Sequence, residues 1–190
     1  MKRSLLIICA LAAILFGGCA NAQSNGNKNG GNMESKKLVV YFSATGTTER
    51  VAKMIAKAAD AELYPITPKE KYSSEDLDWR VKTSRSSMEN SNPKSRPEII
   101  KTKENLNDYN VIYLGFPNWW NMAPRIVNTF IESYNLEGKT VIPFSTSGGS
   151  GISNSVKMLK ADYPKINWTE GKMLNNVSQD IVNEWVKSIR

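Results

Sequence analysis

Apolar residues fall along this chain in short blocks between polar stretches, and the blocks are of two alternating kinds. Leu38-Val39-Val40-Tyr41-Phe42 is an unbroken apolar run, the pattern of a strand covered on both faces. Residues 47–59 instead space Val51, Ile55, Ala58 and Ala59 along one face, the period of a helix. Residues 62–66 read as a second short strand, bounded by Pro65 and Pro68. Residues 69–97 are polar and long; Ser-Ser-Glu-Asp at 73–76 is a helix start signal that predicts a helix over 74–88, with 86–97 as loop. Residues 111–115 form the next buried strand. Pro124 suits the first position of a helix whose inner face is Ile126, Phe130, Ile131 and Tyr134, with Gly138 beyond its end. A strand over 140–146 and a helix over 151–160, carrying Ile152, Val156 and Leu159 inward, come next. A last short strand is expected within 165–174. Ser178 then caps a helix with Ile181, Val182, Trp185 and Ile189 on its inner face.

Five strands alternating with helices predict an α/β domain with a parallel sheet and helices on both faces. One local conflict stands out. Pro143 lies inside the fourth strand, and a central proline requires a gap in the hydrogen-bond ladder.

The N-terminal segment has a different pattern. Lys2 and Arg3 precede twelve apolar or small residues over 5–16, followed by Gly17-Gly18-Cys19. Positive start, apolar middle and small-residue exit describe an export signal. The run is short of the roughly 20 residues a membrane-spanning helix needs; an uncleaved anchoring helix is the other reading. Gly18-Cys19 also resembles a bacterial lipoprotein signal, with Phe16 where leucine is usual. That resemblance implies lipidation at Cys19, an exported, lipid-anchored protein in the periplasm or cell envelope, and a membrane contact through acyl chains. Residues 20–35 are Asn/Gly-rich and almost without apolar side chains, as in a flexible tether. The expected organisation is therefore a signal at 1–19, a tether at 20–35 and one domain at 36–190.

Composition narrows the chemistry. The sequence has no histidine, and its two cysteines are Cys9 and Cys19. Ser-His-Asp and Cys-His catalysis and His-ligated zinc are excluded, and the domain has no thiol for a disulfide or metal. The net charge of +7 becomes +5 once Lys2 and Arg3 leave with the signal. The lysines are scattered, without the basic stripe or module that nucleic-acid binding requires.

Three loops carry candidate chemistry. Ser43-Ala44-Thr45-Gly46-Thr47-Thr48 joins the first strand to the first helix. Its hydroxyls, its glycine and the helix N-terminus suit a phosphate; a capped turn is the plainer reading. It is neither a Walker A loop nor a dinucleotide fingerprint. Gly115-Phe116-Pro117-Asn118-Trp119-Trp120-Asn121-Met122-Ala123-Pro124 follows the third strand. Adjacent tryptophans between elements suit a platform for a flat heterocycle, or else loop packing. Ser145-Thr146-Ser147-Gly148-Gly149-Ser150-Gly151 follows the fourth strand, and its backbone amides could meet polar ring edges. All three lie at carboxyl ends of parallel strands, where open α/β sheets bind ligands. Together they describe a phosphorylated flat heterocycle.

Ser-x-Thr-Gly-Thr-Thr after a first strand, Gly-Phe-Pro-Asn-Trp-Trp-Asn-Met-Ala-Pro and Thr-Ser-Gly-Gly-Ser-Gly resemble the phosphate loop and two flavin loops of bacterial flavodoxins, over residues 37–190. The resemblance implies a flavodoxin-like three-layer α/β/α sandwich of the short-chain type, with a five-stranded parallel sheet in order 2-1-3-4-5, and FMN as cofactor. It implies that Ser43, Ala44, Thr45, Gly46, Thr47 and Thr48 hold the phosphate. Pro117, Asn118, Trp119, Trp120 and Asn121 would flank the ring, and Ser147, Gly148, Gly149 and Ser150 its other side or its edge. The third loop has no aromatic residue, and the chain is basic where flavodoxins are usually acidic. Residues 115–124 and 144–155 contain no Asp or Glu, which predicts a less negative potential for the reduced flavin. Asn118 is expected to tolerate a left-handed backbone, and with it a redox-linked peptide rotation. The expected function is electron transfer between partner proteins, by a monomer, with no catalytic residue and no metal. The alternatives are an FMN-dependent NAD(P)H:quinone-type oxidoreductase and a non-redox module for a phosphate ligand.

Overall fold

The apolar run at 38–42 supplies an interior strand of a parallel sheet. The structure is a computed structural model that describes residues 36–189. The expected signal, Cys19 and the tether lie outside the described residues. In chain order the first elements are β1 (Lys36–Tyr41), α1 (Thr47–Ala59), β2 (Glu62–Pro65), β3 (Thr67–Pro68), α2 (Arg85–Ser91) and β4 (Ile99–Ile100). There follow β5 (Tyr109–Pro117), α3 (Arg125–Ser133), β6 (Thr140–Thr146), α4 (Ser153–Asp162), β7 (Asn167–Trp168), β8 (Lys172–Met173) and α5 (Gln179–Ser188). The main sheet runs β2-β1-β5-β6-β7, with β8 also on β6, and every pairing in it is parallel. β7 and β8 together take the place of the fifth strand, so the order is the expected 2-1-3-4-5.

The unbroken run is explained by layers on both faces. Leu38, Val40 and Phe42 point to a core shared with Ile126, Phe130, Val156 and Leu159 of α3 and α4. Val39 and Tyr41 point to the opposite core, with Val51 and Ile55 of α1 and Val182 and Trp185 of α5. Each fully buried aliphatic or Phe side chain contributes about 1.5–3 kcal/mol, so both faces of β1 help to hold the sandwich together.

Pro143 finds its gap. β6 pairs with β7 through Thr140 and Val141, and with β8 through Phe144 and Ser145. The ladder towards the fifth strand skips Ile142 and Pro143. A residue without an N–H fits at that interruption.

Three expectations need correction. The helix over 74–88 does not form. Ser73 and Asp76 do exchange the expected bonds, at 2.9 and 3.2 Å, but only one turn follows. Leu77 is half-buried while Trp79 and Val81 stand in solvent, so no apolar face rewards a longer helix. A helix begins only at Arg85, capped by Ser84, near the end of the expected one, and runs on to Ser91 in the stretch expected as loop. The final helix is turned by about one residue: Ile181 is 47% exposed, and Val186 takes its place beside Val182 and Trp185. Finally, β3 and β4 pair antiparallel, Thr67 with Ile100 and Pro68 with Ile99. This small ladder, which the sequence did not suggest, closes the base of the long polar excursion between them.

Candidate ligand-binding site

The first loop leaves β1 and enters α1 through Gly46, whose φ of +86° is a backbone glycine adopts without strain. No side chain caps this helix end, so the amides of its first turn are left for another acceptor. The Ser43 hydroxyl is buried and has no hydrogen-bond partner. Thr48 is committed elsewhere: its hydroxyl lies 2.8 Å from that of Thr146, tying the first loop to the end of β6. The nearby cations are occupied. Arg50 donates to the Val177 carbonyl at 3.3 Å, and Lys53 pairs with Glu49 at 2.6 Å. The cradle therefore consists of hydroxyls, amides and a helix dipole.

The second loop is a tight turn. The backbones of Trp119 and Met122 exchange hydrogen bonds of 3.0 and 2.9 Å. Between them Trp120 and Asn121 both have positive φ, 46° and 62°, the arrangement of a type I′ turn. Asparagine accepts that backbone readily; a tryptophan there is strained. The left-handed residues of this loop are thus Trp120 and Asn121; Asn118, expected to tolerate such a backbone, is not among them.

Asn118 acts as a staple. Its amide nitrogen donates to the Gly151 carbonyl at 2.7 Å, and its side-chain oxygen accepts from Ser155 at 2.6 Å. Its backbone N–H donates to Thr146 at 2.7 Å. Loops two and three are joined through this residue. Asn121 faces neither lobe of the site described below; its carbonyl accepts from Asn154 at 2.9 Å.

Trp119 is set by aromatic neighbours. Its ring meets Phe42 and Tyr72, each at 5.6 Å and close to edge-on. Tyr72 in turn donates to Glu89 at 2.6 Å and lies under the Arg85 guanidinium, 4.0 Å away. Burial, reinforced by the Glu89 carboxylate, pushes the Tyr72 phenol well above its ordinary range, so this hydroxyl stays a donor.

The third loop is held from within. Ser147 Oγ accepts from the amides of Gly149 and Ser150 at 3.1 and 2.9 Å. Asn175 brackets Ser147, accepting from its N–H at 2.9 Å and donating to its carbonyl at 2.7 Å. The amides expected to meet a ring edge are therefore largely engaged within the loop.

The three loops meet in one trough with two lobes. The inner lobe, about 620 Å³, is lined by Ser43, Ala44, Thr45, Thr47 and Thr48, with Pro117, Asn118, Trp119, Thr146, Ser147 and Gly148. Gly46 shapes the turn without lining it. The outer lobe, about 460 Å³, shares Asn118, Trp119, Ser147 and Gly148 and adds Trp120, Gly149 and Ser150. Five lining residues escaped the sequence reading: Asn175 and Asn176 of the inner lobe, Leu77 of both, and Trp79 and Ser86 of the outer. Only the Asn-Asn pair before the Ser178 cap carried a usable signal. Neither lobe is lined by a charged side chain. Among the described residues no group of three or more His, Cys, Asp or Glu could hold a metal ion, and no helix is long and apolar enough to cross a membrane.

The chain is similar to several known proteins. The family model described as flavodoxin matches residues 36–189. A flavoprotein of Bacteroides uniformis is 56% identical, with a TM-score of 0.79, over 80% of this chain and 98% of that one. A flavoprotein of Bacteroides eggerthii is 53% identical, with a TM-score of 0.78, over 82% and 98%. A flavoprotein of Lactobacillus acidophilus, solved in complex with FMN, shares the fold at 22% identity and a TM-score of 0.60, over 80% and 98%. No curated protein matches the chain. With a parallel sheet in this order, three loops converging at its carboxyl edge and a family model spanning the whole described domain, the chain belongs to the flavodoxin family.

Proposed function

We propose that this protein binds FMN in the trough and carries electrons between partner proteins. The observation that carries the reading is the Ser43 hydroxyl: buried, without a partner, and beside a helix N-terminus that no side chain caps. Orphaned buried donors of this kind cost stability unless a ligand accepts from them. A phosphate is such an acceptor, and a helix N-terminus favours its charge. Both lobes fall within the few hundred to 1,000 Å³ typical of cofactor sites. The FMN of the Lactobacillus flavoprotein belongs to a protein of the same fold.

When bound, FMN supplies a reversible redox couple. The residues of this chain bind and orient it. Ser43, Thr45, Thr47 and the first amides of α1 would hold the phosphate. Pro117, Trp119 and Trp120 would flank the ring, with Ser147 and Gly148 across from them. The absence of charged side chains from the lining supports a potential less negative than acidic surroundings would give.

The reading includes export and anchoring at Cys19, on the strength of the apolar run before Gly18-Cys19. A mature charge of +5 suits an acidic or membrane-associated redox partner.

Titration of the purified chain with FMN, followed by its visible spectrum, tests the first part. Perturbed flavin bands at one equivalent are expected, with slow NADH and NADPH oxidation in the presence of a quinone. A chain that FMN cannot reconstitute refutes the reading. Rapid quinone-dependent turnover makes the protein an oxidoreductase instead. Membrane partitioning that survives Cys19→Ala removes the anchor.

A further inference from the structure

The third loop offers the outer lobe only Ser147, Gly148, Gly149 and Ser150. The aromatic it lacks comes from the excursion between β3 and β4. Trp79 lines the same lobe as Trp119 and Trp120, yet is 70% exposed. An indole so exposed forgoes most of the burial its size offers.

The backbone on either side of it is nevertheless tied down. On one side, the Asp78 carboxylate accepts from the Arg80 guanidinium through two bonds of 2.9 Å and from the Arg80 N–H at 3.1 Å. The Asp78 carbonyl accepts from Val81 at 3.1 Å. On the other side, the Asp76 carbonyl accepts from the Ser86 N–H at 2.9 Å, which pins the segment to the start of α2. Ser86 is 2% exposed, lines the lobe, and has no partner for its hydroxyl. Behind it the pairing of Arg85 with Glu89 and the bond from Tyr72 to Glu89 join α2 to the ring that packs on Trp119. The backbone that carries Trp79 is thus tied through α2 to the ring that packs on Trp119.

We infer that Trp79 is the second aromatic wall of the outer lobe, so that a flat heterocycle binds against indoles from two separate segments of the chain. The inference rests on the proposed FMN reading and assigns a ring-binding residue outside all three loops. Covering one face of Trp79 removes roughly 80 Å² of apolar surface from water, which corresponds to about ten- to thirtyfold in affinity.

The test separates ring from phosphate. Lumiflavin, which has the ring and no phosphate, is titrated into the wild-type, Trp79→Ala and Trp79→Phe chains by flavin fluorescence, with FMN in parallel. Trp79→Ala should weaken both ligands by the same factor, about ten- to thirtyfold, leaving the ratio of the two affinities unchanged. Trp79→Phe should return both to within about threefold. The urea midpoint of the apoprotein should stay put, since the side chain is exposed; a purely structural role would move it. If Trp79→Ala binds lumiflavin as tightly as a wild type that itself binds FMN, the inference is overturned and the FMN reading stands. A wild type that binds neither ligand overturns both.

Discussion

Replacing Asn118 by alanine should loosen two of the three loops at once. The side chain makes three bonds, to the Gly151 and Ser150 carbonyls at 2.7 and 3.4 Å and from the Ser155 hydroxyl at 2.6 Å. Each contributes about 0.5–1.5 kcal/mol net. Ser155 is fully buried, so its hydroxyl would lose its acceptor, at a cost of about 1–3 kcal/mol. Part of these terms overlaps, and a total near 2–3 kcal/mol is expected, or roughly 5–10 °C in melting temperature for a domain of this size. Urea unfolding of the apoprotein measures it. The Asn118→Ala/Ser155→Ala double variant should recover about 1 kcal/mol or more relative to the sum of the single changes, because the orphaned hydroxyl leaves with its partner. FMN should bind at least about tenfold more weakly to Asn118→Ala, as the loops must then be ordered on binding. A loss below about 0.5 kcal/mol with unchanged FMN affinity would refute the staple.

Three further outcomes follow from the same geometry. Ser43→Ala should leave stability unchanged or slightly raised, since an orphaned hydroxyl is removed. It should weaken FMN by about ten- to a hundredfold while sparing riboflavin, which lacks the phosphate; equal losses for both in a fluorescence titration would place the phosphate elsewhere. Gly115→Ala would bring a Cβ closer than 3 Å to three carbons of the Phe144 ring on the neighbouring strand. It should cost roughly 1–3 kcal/mol in urea unfolding, with partial recovery when Phe144→Leu is added. Glu132 is held below the usual carboxylate range by its hydrogen bond to Arg96, against burial and with help from Tyr163. Because the folded state depresses this group, its contribution is complete above the ordinary carboxylate range and fades as pH falls through the folded value. Glu132→Gln should therefore flatten the urea midpoint between about pH 5 and 2; an unchanged slope would show that the pair does nothing for stability.

The parts of the site that were legible in the sequence are those carried by neighbouring residues. Ser43 to Thr48 announced a hydroxyl-rich turn at a helix start, and adjacent Trp119 and Trp120 announced a loop that could not send both rings into the core; Trp119 packs on it and Trp120 is exposed. What each residue does there was less visible. Thr48 turned out to reach Thr146, and Asn118 to reach Ser155. The Gly149 and Ser150 amides turned out to be engaged by Ser147. The excursion between β3 and β4 was legible least. It has no apolar period, so the helix expected over 74–88 rested on its start signal at 73–76 alone, and that signal made a single turn. Leu77, Trp79 and Ser86 reach the trough because β3 pairs with β4 and because Tyr72 packs on Trp119.

By itself, then, the sequence determined the layers. A strand buried on both faces must be apolar throughout, and a helix on a sheet must be apolar every three to four residues, so both leave a local periodic trace. It also determined the chemistry available, since a chain without histidine, and with no cysteine in its domain, has few other routes to redox work. Only the tertiary structure decided which hydroxyl is left free for a ligand, which asparagine joins the loops, and which tryptophan from a patternless segment stands at the outer lobe. Those outcomes depend on hydrogen bonds and ring contacts between residues far apart in the chain. Such contacts fix one partner at one distance, impose no repeat on the sequence around them, and so leave nothing there to read.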